Sequence, residues 1–125
     1  RVVLTIRRDG QELADLSVQR DRIELNPVYA DLRLQAVPNS ANKQQKIGYI
    51  RLSQFNANAA AEVAHAIQRL EQQGAEAYVL DLRSNPGGLL QSGIEVARYW
   101  LDTGTIVYTV NRQGIEGSFE AAGQA

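Results

Sequence analysis

The segment from Asp81 to Gly88, with the sequence DLRSNPGG, constrains the fold of this chain more than any other. It follows the apolar run 77–80, which is typical of a buried strand, and it opens onto a segment with helical spacing. Pro86 has the backbone angle of a first helical position, and Asn85 before it is a good helix cap. We therefore predict a strand, a tight turn and a helix start, with the two glycines in the first helical turn.

Glycines at such a helix start would present backbone N–H groups that have no partner within the helix. These donors can bind an anion, the helix dipole favours negative charge there, and glycine lets a substrate backbone come close. This is the construction of an oxyanion hole, and we predict that Gly87 supplies the oxyanion amide. Because similar residues also occur in ordinary loops of α/β proteins, the turn alone leaves a purely structural role open.

Two charged residues flank this turn on the strand side. Asp81 and Arg83 are two positions apart near the end of the predicted strand, so their side chains should project to the same face. This edge, where the strands end, is also where α/β sheets place their ligands. Two opposite charges on one face indicate that Asp81 and Arg83 form either an ordered ion pair or a site.

Three motifs in this order resemble one enzyme family. They are Ile47–Leu52 (IGYIRL), a helix end at Leu70–Gly74 (LEQQG) and Val79–Gly88 (VLDLRSNPGG). The pattern resembles the C-terminal processing peptidases, which are tail-specific serine proteases of family S41 with a Ser-Lys dyad and an inserted PDZ domain. Residues 55–60 and 108–114 are similar to the photosynthetic branch of this family, whose members trim the precursor of the photosystem II D1 protein.

The resemblance implies a fold, site residues, a substrate and a location. The fold would be a β-α-β-α-β core of the crotonase and ClpP type. Residues 1–27 would be closing strands of the PDZ insert, 28–45 a connecting strand and linker, and 46–125 part of the peptidase core. The family's functionally sensitive Asp and Arg fall on Asp81 and Arg83. The substrate would be a protein with a free C-terminus. The enzyme would be exported and would act in the thylakoid lumen or the periplasm. The resemblance implies no cofactor or metal.

Hydrophobic period predicts the first strands directly from the residues. Residues 2–6 alternate before the turn signal Asp9-Gly10, which indicates a β-hairpin. Residues 28–36 alternate cleanly and predict a half-buried strand, with Val28, Ala30, Leu32, Leu34 and Ala36 on one face. The polar segment 38–45 predicts a loop before the strand at 47–52.

The second half of the chain alternates between helical and strand patterns. Helical spacing covers 58–73, with Gly74 as a C-terminal cap, and recurs from 90 to 101. A buried strand lies between these helices, and the β-branched run 105–110 follows them. We therefore expect a parallel sheet with right-handed crossovers, and a mobile tail from 114 to 125.

Composition excludes several classes of function. The net charge is -1 with both signs interspersed, so no basic surface for nucleic acid or a membrane is predicted. No apolar run approaches the roughly 20 residues that span a bilayer. The 125 residues contain no Cys, which excludes disulfides and thiolate catalysis, and no Met, from which we expect a fragment of a longer protein.

The chain offers no convincing nucleophile and base of its own. A Ser-Lys dyad needs a lysine that burial keeps neutral, but Lys43 and Lys46 lie in or beside the polar loop. His65 shares a helix face with Glu62 and Arg69, which is typical of a solvated surface. A catalytic triad, a zinc site and a nucleotide site are each disfavoured. We expect the catalytic Ser and Lys to lie outside this chain, and the chain by itself to be inactive.

Our interpretation is a fragment of a serine-type C-terminal processing peptidase, and two alternatives remain open at this stage. One is a non-catalytic module that binds peptides by β-augmentation along the hairpin edge. The other is an acyl-thioester enzyme of the crotonase type, which uses a comparable glycine oxyanion hole.

Overall fold

The structure is a computed structural model that describes residues 1–21, 25–38, 43–123 and 125. It is a mixed α/β fold with three small sheets and two helices among these residues. In chain order the elements are β1 (Val2–Arg8), β2 (Gln11–Val18), β3 (Val28–Ala36), β4 (Gln44–Leu52), α1 (Ala59–Gln72), β5 (Ala77–Asp81), α2 (Leu90–Arg98), β6 (Thr105–Asn111) and β7 (Gly114–Glu120). No helix in the described part of the chain is long and apolar enough to cross a membrane.

The first two strands form the predicted hairpin. β1 pairs antiparallel with β2, from Val2 opposite Val18 to Arg8 opposite Gln11. The connection is the two-residue turn Asp9-Gly10, whose φ angles are 52° and 80°. Two positive φ angles match the twist of the flanking strands, which explains why Asp-Gly is a strong hairpin signal.

The central sheet has the order β3-β4-β5 and carries the core of the protein. β3 is antiparallel to β4, whereas β4 and β5 are parallel and are joined through α1. Ile50 and Leu52 on β4 are fully buried beneath α1, which contributes its own buried face. The buried residues of α1 are Ala59, Ala60, Val63, Ala66 and Leu70.

Two local sequence signals explain how α1 packs and ends. Gly48 on β4 must be glycine, because a Cβ there would lie 2.8 Å from the ring of Tyr78 and 3.0 Å from Leu70. At the helix end Gly74 has a φ of 87° and donates to the Glu71 carbonyl at 2.9 Å, while Ala75 donates to Leu70 at 2.9 Å. These two bonds are a Schellman motif, so the predicted glycine cap is confirmed.

The expected start of the second helix is wrong. We predicted Pro86 at the first helical position, but α2 begins at Leu90. The intervening glycines have φ angles of 98° at Gly87 and 146° at Gly88, which no right-handed helix accepts. Residues 84–88 therefore form an irregular loop, which is held by a bond between Asn85 and Gly87 and by bonds to Leu52 and Phe55 rather than by helical bonds.

Two expectations for the C-terminal part are also wrong. The run at 105–110 does form a strand, but β6 does not join the parallel sheet and instead pairs antiparallel with β7. The tail that we expected to be mobile thus contains a regular strand over Gly114–Glu120. Its apolar residues Ile115 and Phe119 are few, and the glycines and polar residues between them obscured the strand pattern.

The polar segment predicted as a loop is shorter than expected. β4 begins at Gln44, so the end of the segment 38–45 belongs to a strand, and Val37 donates to the Lys43 carbonyl at 3.1 Å. Residues 39–42 of this prediction lie outside the described residues.

Candidate active site

Asp81 is the last residue of β5 and is the centre of the site. Its side chain is buried, with 7% of the residue exposed. Arg83 donates to this carboxylate from Nε at 3.0 Å, from Nη2 at 2.8 Å and from its backbone N–H at 3.0 Å. The ion pair is therefore present, although Arg83 lies in the turn after β5 and not on the strand as predicted. A supporting role of the pair in a reaction stays a prediction.

The contacts of Asp81 hold it in the charged form. The Arg83 side chain, followed by the Tyr49 hydroxyl and the Arg83 backbone N–H, holds the pKa of the Asp81 carboxyl well below its usual range. The same pairing raises the pKa of Arg83. The pair is asymmetric, because the Arg83 side chain is 85% exposed and solvent screens its charge. The buried carboxylate thus has a strong but solvent-facing cationic partner.

Sequence reasoning missed the residue that completes this cluster. Tyr49 on β4 donates its hydroxyl hydrogen bond to Asp81 Oδ2, across the parallel pairing of β4 with β5. The guanidinium carbon of Arg33 on β3 lies 3.6 Å from the centroid of the Tyr49 ring, and Arg33 Nε also donates to Asp31 at 3.2 Å. Four side chains are thereby linked across three strands, on the sheet face that α1 does not cover.

The register of the strands decides these contacts. Tyr49 lies opposite Asp31 on β3 and opposite Val79 on β5. The sequence showed that Asp31 and Arg33 share a face and that Asp81 ends a strand, but it gave no register between the strands. Because side chains alternate along a strand, Tyr49 points to the face opposite to that of its neighbour Ile50. This alternation was the one sequence signal for the position of Tyr49.

The loop after β5 begins with two side-chain turns. Asp81 Oδ1 accepts the N–H of Arg83, and Asn85 Oδ1 accepts the N–H of Gly87 at 2.7 Å. Both are Asx turns, in which a short acidic or amide side chain replaces a backbone acceptor. Asn85 Nδ2 also donates to the Leu52 carbonyl at 2.9 Å, so this side chain ties the loop to the end of β4.

The glycines of this loop have different reasons to be glycine. Gly88 lies against Phe55, and a Cβ at Gly88 would be 2.2 Å from the Phe55 carbonyl oxygen. Phe55 donates to the Gly87 carbonyl at 3.0 Å and accepts from Leu89 at 2.8 Å. A Cβ at Gly87 would meet nothing within 4 Å, so that position needs glycine only for its positive φ.

The two amides also differ in whether they are free. The Gly87 N–H, which we predicted as the oxyanion donor, already donates to Asn85 Oδ1. Gly88 pairs with Phe55 as a parallel bridge, in which its own N–H points away from Phe55. Among the described residues none accepts a hydrogen bond from Gly88. The loop therefore carries one engaged amide and one available amide in succession.

The other candidate residues lie on the surface. Lys43, Lys46 and His65 are all exposed, in agreement with the expectation that they are solvated. Ser92 is buried on α2, but its hydroxyl donates to the Asn56 carbonyl at 2.9 Å and so stabilises the entry into α1. These residues do not converge on a nucleophilic site.

The parallel β4-α1-β5 unit, with a glycine loop and the Asp81–Arg83 ion pair at its carboxyl edge, defines an α/β protein. A profile of peptidase family S41 matches residues 46–125, and the chain belongs to this family. The match includes β4, α1, β5, the glycine loop and α2, which are the elements that build the site.

Individual relatives are carboxyl-terminal-processing proteases. The chain is 53% identical over 126 residues to the one from Synechocystis sp., covering 100% of this chain and 28% of that protein. It is 42% identical to carboxyl-terminal-processing peptidase 2, chloroplastic, of Arabidopsis thaliana, covering 93% of this chain and 22% of that protein. The chain thus spans between a fifth and a third of the length of these relatives.

A solved structure has the same fold. The photosystem II D1 C-terminal processing protease superposes with a TM-score of 0.70 at 36% sequence identity, covering 90% of this chain and 30% of that one. Since the likeness extends over most of the present chain, it includes strands outside the region that the family profile matches.

Proposed function

We propose that this chain is part of a serine-type endopeptidase that cleaves proteins near their C-termini. The observation that carries this proposal is the loop at 84–88, whose available amide lies at the carboxyl edge of β4 and β5 in a chain of peptidase family S41. Its relatives are carboxyl-terminal-processing proteases. Hydrolysis of a peptide bond needs a donor of this kind, because negative charge develops on the carbonyl oxygen in the transition state.

In the proposed reaction a serine attacks the scissile carbonyl and a neutral lysine takes its proton. Both residues would lie outside this chain, since Lys43 and Lys46 are exposed and neither is shielded as a base must be. An amide of the glycine loop would stabilise the tetrahedral oxyanion, a contribution typically worth about 3 kcal/mol. Gly87 fills this role if its N–H turns away from Asn85, and Gly88 fills it without rearrangement.

The remaining parts of the proposal concern the whole protein. Residues 1–27 would close a PDZ insert, 28–45 would connect it to the body, and 46–125 would form part of a core of the crotonase and ClpP type. The protein would act after export, in the thylakoid lumen or the periplasm. Its substrate would be a protein with a free C-terminus. The precursor of the photosystem II D1 protein is our candidate, because the matched solved structure is a photosystem II D1 C-terminal processing protease.

A peptide cleavage assay with the full-length protein tests the proposed activity. The substrates are a peptide with the C-terminal sequence of the D1 precursor and the same peptide with an amidated end, and mass spectrometry identifies the products. We expect cleavage of the free acid, slower cleavage of the amide, and loss of activity with a serine-acylating reagent. Binding without cleavage would contradict the proposal in favour of an interaction module, and hydrolysis of acyl-coenzyme A instead of peptide would favour a crotonase-type enzyme.

A further inference from the structure

We propose that Tyr49 is a positioning residue for the peptidase reaction, whose hydroxyl fixes the Asp81 carboxylate and through it the glycine loop. The inference rests on the proposed function for its effect on catalysis. The contact itself is a property of this chain, since Tyr49 donates to Asp81 Oδ2 from the neighbouring strand.

The partners of Asp81 differ in how firmly they are held. Three of its four hydrogen bonds come from Arg83, whose side chain is 85% exposed and only two residues away. An exposed arginine gains little from an ion pair, because it loses rotamer freedom and solvent screens the charge. Arg83 therefore follows the orientation of the carboxylate more than it imposes one.

Tyr49 is the rigid partner. Its backbone is paired on both sides, with Asp31 of β3 and Val79 of β5 opposite to it. The Arg33 guanidinium lies over its ring at 3.6 Å from the centroid, which restricts rotation of the ring. A tyrosine has only two side-chain torsions, so a hydroxyl on such a ring is a well-defined donor.

The orientation of Asp81 is transmitted into the loop through the backbone. Oδ1 of this carboxylate accepts the Arg83 N–H, while Oδ2 accepts the Tyr49 hydroxyl. Loss of the Tyr49 contact leaves the orientation of the carboxylate to Arg83 alone, whose exposed side chain holds it less firmly. The next residue, Ser84, has a positive φ of 62°, an unfavourable conformation for a residue with a side chain. A conformation of this kind persists only when its surroundings hold it, so the loop depends on the contacts before it.

The test is the substitution Tyr49→Phe in the full-length protein, which removes the hydroxyl and keeps the ring. The matched control is Tyr99→Phe, because the Tyr99 hydroxyl also makes one hydrogen bond, to the Ala60 carbonyl at 3.0 Å, between the two helices. We expect Tyr49→Phe to lower kcat about tenfold with KM within about twofold of wild type, because the lost contact positions the oxyanion donor. Tyr99→Phe should keep kcat, although both variants should lower the melting temperature by a few degrees.

Equal kcat values in the two variants would overturn the proposal, since Tyr49 would then be an ordinary structural hydroxyl. A second measurement uses NMR on the full-length protein and does not depend on activity. In Tyr49→Phe the Arg83 Nε–H should exchange faster with solvent, and the pKa of the Asp81 carboxyl should rise.

The kinetic and the NMR measurements distinguish failure of the proposed function from failure of the positioning role. If the wild-type full-length protein cleaves no peptide, the proposed function fails, and the NMR result alone decides whether Tyr49 holds Asp81. An Arg83 Nε–H signal and an Asp81 titration that are both unchanged by Tyr49→Phe would overturn the positioning role, whatever the activity.

Discussion

Replacement of Arg83 by alanine in the full-length protein is the most direct test of the site. The substitution removes two charge-assisted hydrogen bonds to Asp81, at 3.0 Å from Nε and 2.8 Å from Nη2. Among the described residues it leaves the backbone N–H of residue 83 and the Tyr49 hydroxyl as the hydrogen-bond partners of a buried carboxylate. The buried carboxylate then keeps its charge without a cationic partner and draws in water, which disturbs the loop that follows it.

We expect Arg83→Ala to lower kcat by about a hundredfold or more, which is the effect of losing one oxyanion donor. KM should change little, because the loop acts on charge that develops only in the transition state. Arg83→Lys should restore activity only in part, since one ammonium group cannot reproduce a planar pair of bonds. The assay is steady-state cleavage of a peptide with a free C-terminus.

The control for this experiment is Arg69→Ala on α1. Arg69 is exposed and its Nη2 donates to the Ala30 carbonyl at 3.3 Å, so the substitution also removes a guanidinium that bonds a neighbouring element. It should leave kcat unchanged. If Arg83→Ala in a folded enzyme keeps a kcat near that of wild type, Arg83 is a surface ion-pair residue and our assignment of the site is refuted.

Three further predictions concern the 125-residue chain. Gly88→Ala should lower the free energy of unfolding by about 2 to 4 kcal/mol, because the new Cβ would lie 2.2 Å from the Phe55 carbonyl oxygen. Gly87→Ala should lower the free energy of unfolding by only about 1 kcal/mol, from conformational strain, because a Cβ there meets nothing within 4 Å. If urea denaturation shows equal losses of stability in the two variants, the steric explanation is excluded. The pKa of Asp81 is lowered in the folded state by Arg83, Tyr49 and the Arg83 backbone N–H, so its stabilising contribution is present above the unfolded pKa, about 4, and is lost as pH falls below it. In Asp81→Asn the free energy of unfolding should therefore fall less between pH 7 and pH 2 than in wild type. Parallel curves of unfolding free energy against pH would refute a contribution of Asp81 to acid stability. Finally, the chain alone should not cleave peptides, and turnover that copurifies with it through several chromatographic steps would contradict the placement of the dyad outside it.

Local signals predicted those parts of the fold that depend on neighbours in sequence. The Asp9-Gly10 turn and the Gly74 cap each follow from a few adjacent residues, and the structure agrees with them. The predicted face of the strand at 28–36 packs against the core at Val28, Ala30 and Leu32, but Leu34 and Ala36 are exposed. The Asp81 and Arg83 pair belongs to the same class, because its members are two residues apart, at the end of β5 and in the turn after it. Such features need no knowledge of how strands pair.

The features that sequence reasoning missed depend on contacts between distant segments. The predicted helix start is wrong because Gly87 and Gly88 have positive φ angles, and because the Phe55 backbone bonds the Gly87 carbonyl and the Leu89 N–H in place of helical partners. The pattern of Asn, Pro and Gly fits both a cap and a loop, and only the proximity of the β4 end decides between them. Tyr49 was missed for the same reason, since its partner Asp81 lies 32 residues further along the chain.

All of these distant contacts involve β4 or the residues that directly follow it. Ile50 and Leu52 are fully buried on the helix side of this strand, and Tyr49 projects to the opposite face and holds Asp81. The Leu52 carbonyl accepts a hydrogen bond from the Asn85 side-chain amide. The Phe55 backbone bonds the residues before and after Gly88, since it donates to the Gly87 carbonyl and accepts from the Leu89 N–H. Because the buried side chains hold β4 against α1, they also fix the groups that position the loop amides. A cavity-forming change at Ile50 should therefore disturb the proposed site as well as the core, although Ile50 makes none of the contacts that define the site.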